Sequence, residues 1–173
     1  MFRIPLALIF SVAIFAPAAQ AETTVTLTKM HLCCGACVKA VQAAVKDLSG
    51  VKVDVTAKEG KTVVTADDDK AAQSALDAIS KAGFHAKTDS EKLTMKDDSG
   101  VKAGAVKRLE LTGLHNCCGA CTKSIKEAVA TVDGVKADTA KPKQETMVVE
   151  GDFDAADVVA ALMAAGFHVK VKP

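Results

Sequence analysis

Apolar residues first alternate with polar ones, then recur in threes and fours, then alternate again, and this succession runs twice along the chain. Val25 and Leu27 alternate with Thr24, Thr26 and Thr28, the signature of a half-buried strand, and Leu109 and Leu111 occupy the matching places later on. Cys37, Val41, Val45 and Leu48 then recur at helical spacing, as do Cys121, Ile125, Val129 and Val132. Ser49-Gly50 and Asp133-Gly134 stop these helices. Val51, Val53 and Val55 predict a second strand, Lys58-Glu59-Gly60 a turn, and Thr62 to Thr65 a third strand that closes a hairpin. The later counterpart runs from Val135 to Thr139, turns around Lys141-Pro142-Lys143, and returns from Thr146 to Glu150. Ala72, Leu76 and Ile79 line a second helix, matched by Ala155, Val159 and Leu162, with Gly83 and Gly166 as the glycines that end them. A last short strand is expected to begin near Phe84 and again near Phe167.

The order strand, helix, strand, strand, helix, strand is the split βαβ pattern. It predicts an α+β chain of two tandem ferredoxin-like βαββαβ domains, each a four-stranded antiparallel sheet with two helices on one face. Within the 173 residues the domains are placed at 22–88 and 106–173, each near the lower size limit for a self-sufficient core. Residues 89–105, charged and rich in small residues such as Ser90, Ser99 and Gly100, read as a mobile linker without a core of its own.

The first residues follow another rule. Arg3 is a positive start, Ile4 to Ala16 is almost wholly apolar, and Ala19-Gln20-Ala21 carries the small residues a signal peptidase reads. A membrane anchor is the alternative, but the run falls short of the ~20 residues a span needs, and Pro5 and Pro17 bracket it. Residues 1–21 are therefore expected to be a signal peptide, and the mature protein to be secreted or periplasmic, with no stable membrane insertion after cleavage. Lysine and arginine number 22 against 21 acidic residues, so losing Arg3 leaves the mature chain formally neutral. Neutrality argues against nucleic acid or anionic lipid as a partner. Beyond the leader only Phe84, Phe153 and Phe167 are aromatic, which leaves little for stacking on bases or sugars.

The chemistry is concentrated in two heptapeptides, His31-Leu32-Cys33-Cys34-Gly35-Ala36-Cys37 and His115-Asn116-Cys117-Cys118-Gly119-Ala120-Cys121, which hold all 6 cysteines. Disulfide frameworks spread their cysteines to staple distant segments, whereas these crowd together and fall in odd numbers. Each Cys-x-x-Cys stands where a loop enters a helix, so unpaired N–H groups and the helix dipole favour thiolate. The two-residue gap lets both sulfurs converge on one ion, and soft sulfur selects copper(I), zinc(II) and other thiophilic ions over magnesium or calcium.

Cys34-Gly35-Ala36-Cys37-Val38-Lys39-Ala40-Val41, following its strand, and Cys118-Gly119-Ala120-Cys121-Thr122-Lys123-Ser124-Ile125 resemble the heavy-metal-associated domain family. That family includes copper chaperones, modules of metal-transporting ATPases and periplasmic mercury-binding proteins. The resemblance covers both repeats. It implies that Cys34 with Cys37, and Cys118 with Cys121, are primary ligands, and that the Gly83-Phe84 and Gly166-Phe167 stretches lie beside the metal. A soft ion is expected, copper(I) first with zinc(II) or mercury(II) as alternatives, and a metal-transporting membrane protein or another metallochaperone as partner. Two departures stand out. Leu32 and Asn116 replace the family's methionine, and a buried Asn116 needs hydrogen-bond partners. Cys33 and Cys117 are additional. Neighbouring residues of an extended loop point in opposite directions, so Cys33 is expected to face away from the ion at Cys34. A third thiolate would favour a three- or four-coordinate ion, so both remain candidate metal ligands.

His31 and His115 suit either a Cys3His site or the capping of a carbonyl. His85 and His168 either reach the site from the closing loop or point to solvent. Phe84 and Phe167 read as apolar cover, Met30 and Met147 as core or surface. Asp67-Asp68-Asp69 reads as capping at a helix start. The sequence thus predicts a protein that sequesters or delivers soft metal by thiolate exchange through one CCxxC site per domain, and not an enzyme. The alternative is a thiol–disulfide oxidoreductase using Cys34 or Cys118; a metal-blind interaction module is a further one.

Overall fold

A computed structural model describes residues 21–172. The expected signal peptide therefore lies, but for Ala21, outside the described residues. Among the described residues no helix is long and apolar enough to cross a membrane.

The first half runs β1 (Thr23–Thr28), α1 (Gly35–Val45), β2 (Val51–Thr56), β3 (Lys61–Ala66), α2 (Asp69–Lys81) and β4 (Lys87–Thr88). The second runs β5 (Ala105–Thr112), α3 (Gly119–Ala130), β6 (Val135–Asp138), β7 (Met147–Asp154), α4 (Ala155–Ala164) and β8 (Lys170–Val171). The sheets are ordered β2-β3-β1-β4 and β6-β7-β5-β8, with every pairing antiparallel. This is the ferredoxin-like arrangement, twice. Alternation decides the sheet faces: Val25 and Leu27 are buried while Thr24 and Thr28 are exposed. Cys37, Val41 and Val45 turn the apolar side of α1 inward, as Cys121, Ile125 and Val129 do for α3. Leu48 and Val132, expected as the last helical repeats, lie past the helix ends and pack from the turns that follow. Asp68 caps α2, accepting a hydrogen bond from the Ala71 N–H at 2.7 Å, so the acidic run serves the helix start.

Two expectations are corrected. The segment around 89–105 packs against both halves. Leu93 and Met95 are buried, Thr94 is bonded to Gln73, and the Ser99 carbonyl accepts from Val171 N–H at 2.8 Å. Its large apolar residues, Leu93, Met95 and Val101 among many charges, were too few to show a period but enough to anchor it. Phe84 and Phe167, expected to begin the last strands, instead pair with each other across the domains. The N–H of His85 donates to Gly166 O at 3.1 Å, and that of His168 to Gly83 O at 3.0 Å. The last strands start three residues later: the N–H groups of Phe84 and Phe167 close onto Ile79 O and Leu162 O of their own helices, and those of His85 and His168 are taken up by the opposite domain. Both rings are fully buried.

Candidate metal centre

In each domain the CCxxC loop leaves the first strand and enters the first helix with its second cysteine at the N-cap. Cys34 is extended (φ −159°) and its carbonyl accepts from the N–H of Cys37 at 3.1 Å. Cys118 is extended as well (φ −154°), with Thr122 N–H on its carbonyl at 3.1 Å. The third cysteine follows one turn later on the inward face, so Cys37 and Cys121 are fully buried. Leu32 seats the first loop in the core. Asn116 does the same for the second by finding partners for both ends of its buried amide. Its amide donates to Lys141 O at 2.8 Å, its side-chain oxygen accepts from the Thr122 hydroxyl at 2.8 Å, and its own carbonyl accepts from Lys143 N–H at 2.6 Å.

The domain contact lays the two loops against each other, and all six sulfurs meet. Cys33 Sγ is 3.4 Å from Cys121 Sγ and 3.5 Å from Cys118 Sγ in the other domain, and 3.7 Å from Cys37 Sγ in its own. Cys117 Sγ is 3.7 Å from Cys34 Sγ, 3.8 Å from Cys37 Sγ and 3.6 Å from Cys121 Sγ. Within the motifs, Cys34 and Cys37 stand 3.8 Å apart, and Cys118 and Cys121 3.9 Å. Cys33, expected to face away from the ion at Cys34, instead brings its sulfur to those of Cys34 and Cys37 and also meets the second domain. The six thiols are free, and Cys33 is the one exposed to solvent. Among the described residues, three sets of four ligand atoms are close enough to share an ion: Cys33, Cys34, Cys37 and Cys117; Cys33, Cys117, Cys118 and Cys121; and Cys37, His115, Cys117 and Cys121.

Crowding sorts the protons among the sulfurs. A thiol hydrogen bond from Cys121 holds Cys37 far below the usual thiol range, helped by His115, and the same contact holds Cys121 up. Burial pushes Cys33 up, and Cys117 up to about 12. The Cys121 N–H draws Cys118 down to about 7, with the Cys33 thiol assisting. The cluster therefore keeps thiolate at some positions and protons at others, and an incoming cation displaces those protons.

The histidines divide into two pairs, neither of which caps a carbonyl or points freely to solvent. His31 stacks on Phe167 (centroids 4.5 Å, 29°) and His115 on Phe84 (4.3 Å, 28°), each reaching into the opposite domain. The Nε2 atoms of His31 and His115 are buried without a hydrogen-bond partner. Of the two, His115 belongs to a metal-capable set. His85 and His168 lie outside every such set among the described residues. His168 Nε2 is 2.6 Å from Asp98 Oδ1 and its Nδ1 is 3.5 Å from His85 Nδ1, a chain in which the intervening segment supplies the carboxylate. Lys170 bonds the same carboxyl and holds Asp98 below the usual carboxylate range. Sequence reasoning missed Asp98. Its only signal was an acidic pair, Asp97-Asp98, in a stretch otherwise read as linker.

A family model for the heavy-metal-associated domain matches residues 25–85 and 114–168. The mercuric transport protein periplasmic component of Pseudomonas aeruginosa is 40% identical over 74 residues, 42% of this chain and 81% of that protein. Among solved structures, the N-terminal domain of PacS from Synechocystis PCC6803 is 28% identical over 39% of this chain and all (100%) of its own, with a TM-score of 0.36. Oxidized MerP from Ralstonia metallidurans CH34 is 26% identical over 39% of this chain and 97% of its own (TM-score 0.33). The N-terminal soluble domains of Bacillus subtilis CopA are 19% identical over 88% of this chain and 95% of theirs (TM-score 0.32).

Proposed function

Because the chain belongs to the heavy-metal-associated domain family, we propose that it is an exported, periplasmic protein that binds soft metal ions through its cysteine thiolates and passes them on by ligand exchange. The observation that carries this reading is the meeting of Cys33, Cys34, Cys37, Cys117, Cys118 and Cys121 in one place, with sulfur separations of 3.4–3.9 Å. Soft sulfur, partly deprotonated and half-buried, suits d10 ions of the copper(I), zinc(II) and mercury(II) class. The spacing favours higher coordination within that class. An ion about 2.3 Å from each of four sulfurs sets them about 3.8 Å apart, whereas a linear pair spans about 4.6 Å. Cys34–Cys37 at 3.8 Å and Cys118–Cys121 at 3.9 Å match the first value. The periplasmic relative named for mercuric transport supports both the ion class and the compartment.

Delivery would proceed one sulfur at a time. An incoming thiol on a metal-transporting membrane protein or metallochaperone gives its proton up as it bonds the ion, and the leaving thiolate takes one. The exchange is proton-neutral and needs no oxidant. Exposed Cys33 and partly exposed Cys34, Cys117 and Cys118 are where it begins, while buried Cys37 and Cys121 release last. Titrating reduced mature protein with zinc(II), copper(I) and mercury(II) against a competing chelator tests the reading. Tight binding that is lost when all six cysteines become serine, and metal transfer to an added dithiol, are expected. A six-serine protein that binds equally well would refute it.

A further inference from the structure

Both all-sulfur sets contain the same two residues. Cys33 and Cys117 occur in the set with Cys34 and Cys37, and again in the set with Cys118 and Cys121. Six sulfurs thus form two four-sulfur sets that share Cys33 and Cys117, the sulfurs of each set lying within 4.8 Å of one another. Four of the separations in the first set are 3.7, 3.8, 3.7 and 3.8 Å, and four in the second are 3.5, 3.4, 3.6 and 3.9 Å. These are close to the edge of about 3.8 Å that a four-coordinate ion of zinc size requires.

Resting on the metal-binding reading above, we infer that the two domains hold one dinuclear thiolate cluster, in which Cys33 and Cys117 each bridge both ions. One ion takes Cys34 and Cys37 as its terminal ligands, the other Cys118 and Cys121. The bridging role explains why each motif carries a cysteine ahead of its Cys-x-x-Cys. A thiolate has several lone pairs, so it can bond two ions at once, while a serine or a methionine in its place would leave both ions a ligand short. The charge is consistent: two divalent ions against six thiolates leave the cluster at −2, and the protons still on the thiols leave as the ions enter. A monovalent ion in the same frame would leave −4, so the arrangement selects divalent d10 ions. The third set, Cys37, His115, Cys117 and Cys121, draws on both of these, and it can fill only when a single ion is bound.

The test uses the full mature chain, reduced and loaded with cadmium-113. Two ions per chain are expected, giving two tetrathiolate resonances split by metal–metal coupling through the shared sulfurs. Cys33→Ser and Cys117→Ser are each expected to shift both resonances, and Cys34→Ser chiefly one. The coupling in the unsubstituted protein needs no variant to fold. Two uncoupled resonances, each answering only to cysteines of its own domain, would overturn the shared cluster and leave the metal-binding reading intact. One ion with nitrogen in its shell would overturn it in favour of the His115 set. No retained cadmium would overturn both.

Discussion

Gly83 is the residue whose substitution isolates the domain contact from the domains themselves. Its φ is +87°, and a Cβ built on it meets the backbone of the other domain, with Gly113 O at 2.5 Å and the Leu114 carbonyl carbon at 2.9 Å. Gly83→Ala therefore adds two costs. The left-handed φ costs an alanine about 1–2 kcal/mol. The overlap is with backbone, which no rotamer change relieves, so the second domain must shift. That shift breaks the two reciprocal bonds His85 N–H to Gly166 O and His168 N–H to Gly83 O, and the stacks of His31 on Phe167 and His115 on Phe84. At about 0.5–1.5 kcal/mol for each bond and each stack, the contact loses about 2–6 kcal/mol. Gly100→Ala is the control, because Gly100 has φ +71° but nothing within 4 Å of the added carbon. Amide hydrogen exchange at His85 and His168 reads domain opening directly. It should accelerate by about 30-fold to 10⁴-fold in Gly83→Ala, at 1.4 kcal/mol per tenfold, and by no more than about tenfold in Gly100→Ala. Equal protection in the two variants would refute the claim that these residues hold the domains together.

Asn116→Leu copies the residue of the first loop but leaves Lys141 O without its amide donor and takes one of the Thr122 hydroxyl's two acceptors; it should lower stability by about 1–3 kcal/mol, read as a lower urea midpoint. Unchanged or raised stability would mean those bonds contribute nothing. Asp68→Ala removes the acceptor for Ala71 N–H and should cost about 1 kcal/mol, a fall in Tm of about 2–4 °C by calorimetry, with metal content unchanged. Acidification should open the domain contact. Burial first, and the facing His168 second, lower the His85 pKa against the pull of Asp97. When the contact opens His85 regains its ordinary value near 6.5, so the open form binds the proton first. The contact's stability is then complete above about pH 6.5 and declines as pH falls toward the lowered value. Scattering profiles from pH 8 to 5 should show expansion in the metal-free protein that His85→Gln reduces, the rest coming from His31, whose pKa burial also lowers in the same contact; expansion at high pH instead would reverse the sign.

Most of each domain was legible because each domain buries its own stripes. Val25 and Leu27, or Val41 and Val45, answer to a period of two or of about four, and nothing outside the copy is needed to place them. The surface between the copies obeys no period. Phe84 and Phe167 are single apolar residues after a helix-ending glycine, a pattern equally suited to a strand start. Only the scarcity of aromatics beyond the leader marked them as unusual. Alternation set Cys33 away from the ion at Cys34, yet its sulfur shares one four-ligand set with Cys34, Cys37 and Cys117 of the other domain, because direction along one loop does not say what the opposite domain brings to it. Leu93 and Met95 were lost among the charges of their segment for the same reason. Sequence periodicity reports a face, not the identity of what covers it.

The interface has the form that two identical subunits make about a two-fold axis: each contact of one half recurs in the other, from paired backbone bonds to paired ring stacks. Carrying both halves on one chain changes its physics in two ways. The residues between the halves are anchored to both, by Leu93 and Met95 in the core and by Ser99 on Val171, so the loops face each other at a concentration independent of protein level. Identity is also no longer enforced. Leu32 faces one loop's core where Asn116 faces the other's, and Asp98 bonds His168 while His85 has no carboxylate bonded to it among the described residues. Cys118 is drawn down to about 7, and Cys37, not its counterpart Cys121, is the low thiol of its pair. A symmetric pair would bind and release its ions equivalently. On the proposed metal-binding reading, unequal sulfurs would give exchange a defined order, beginning at exposed Cys33 and ending at buried Cys37 and Cys121, and such an order is what directional transfer along a chain of thiols requires.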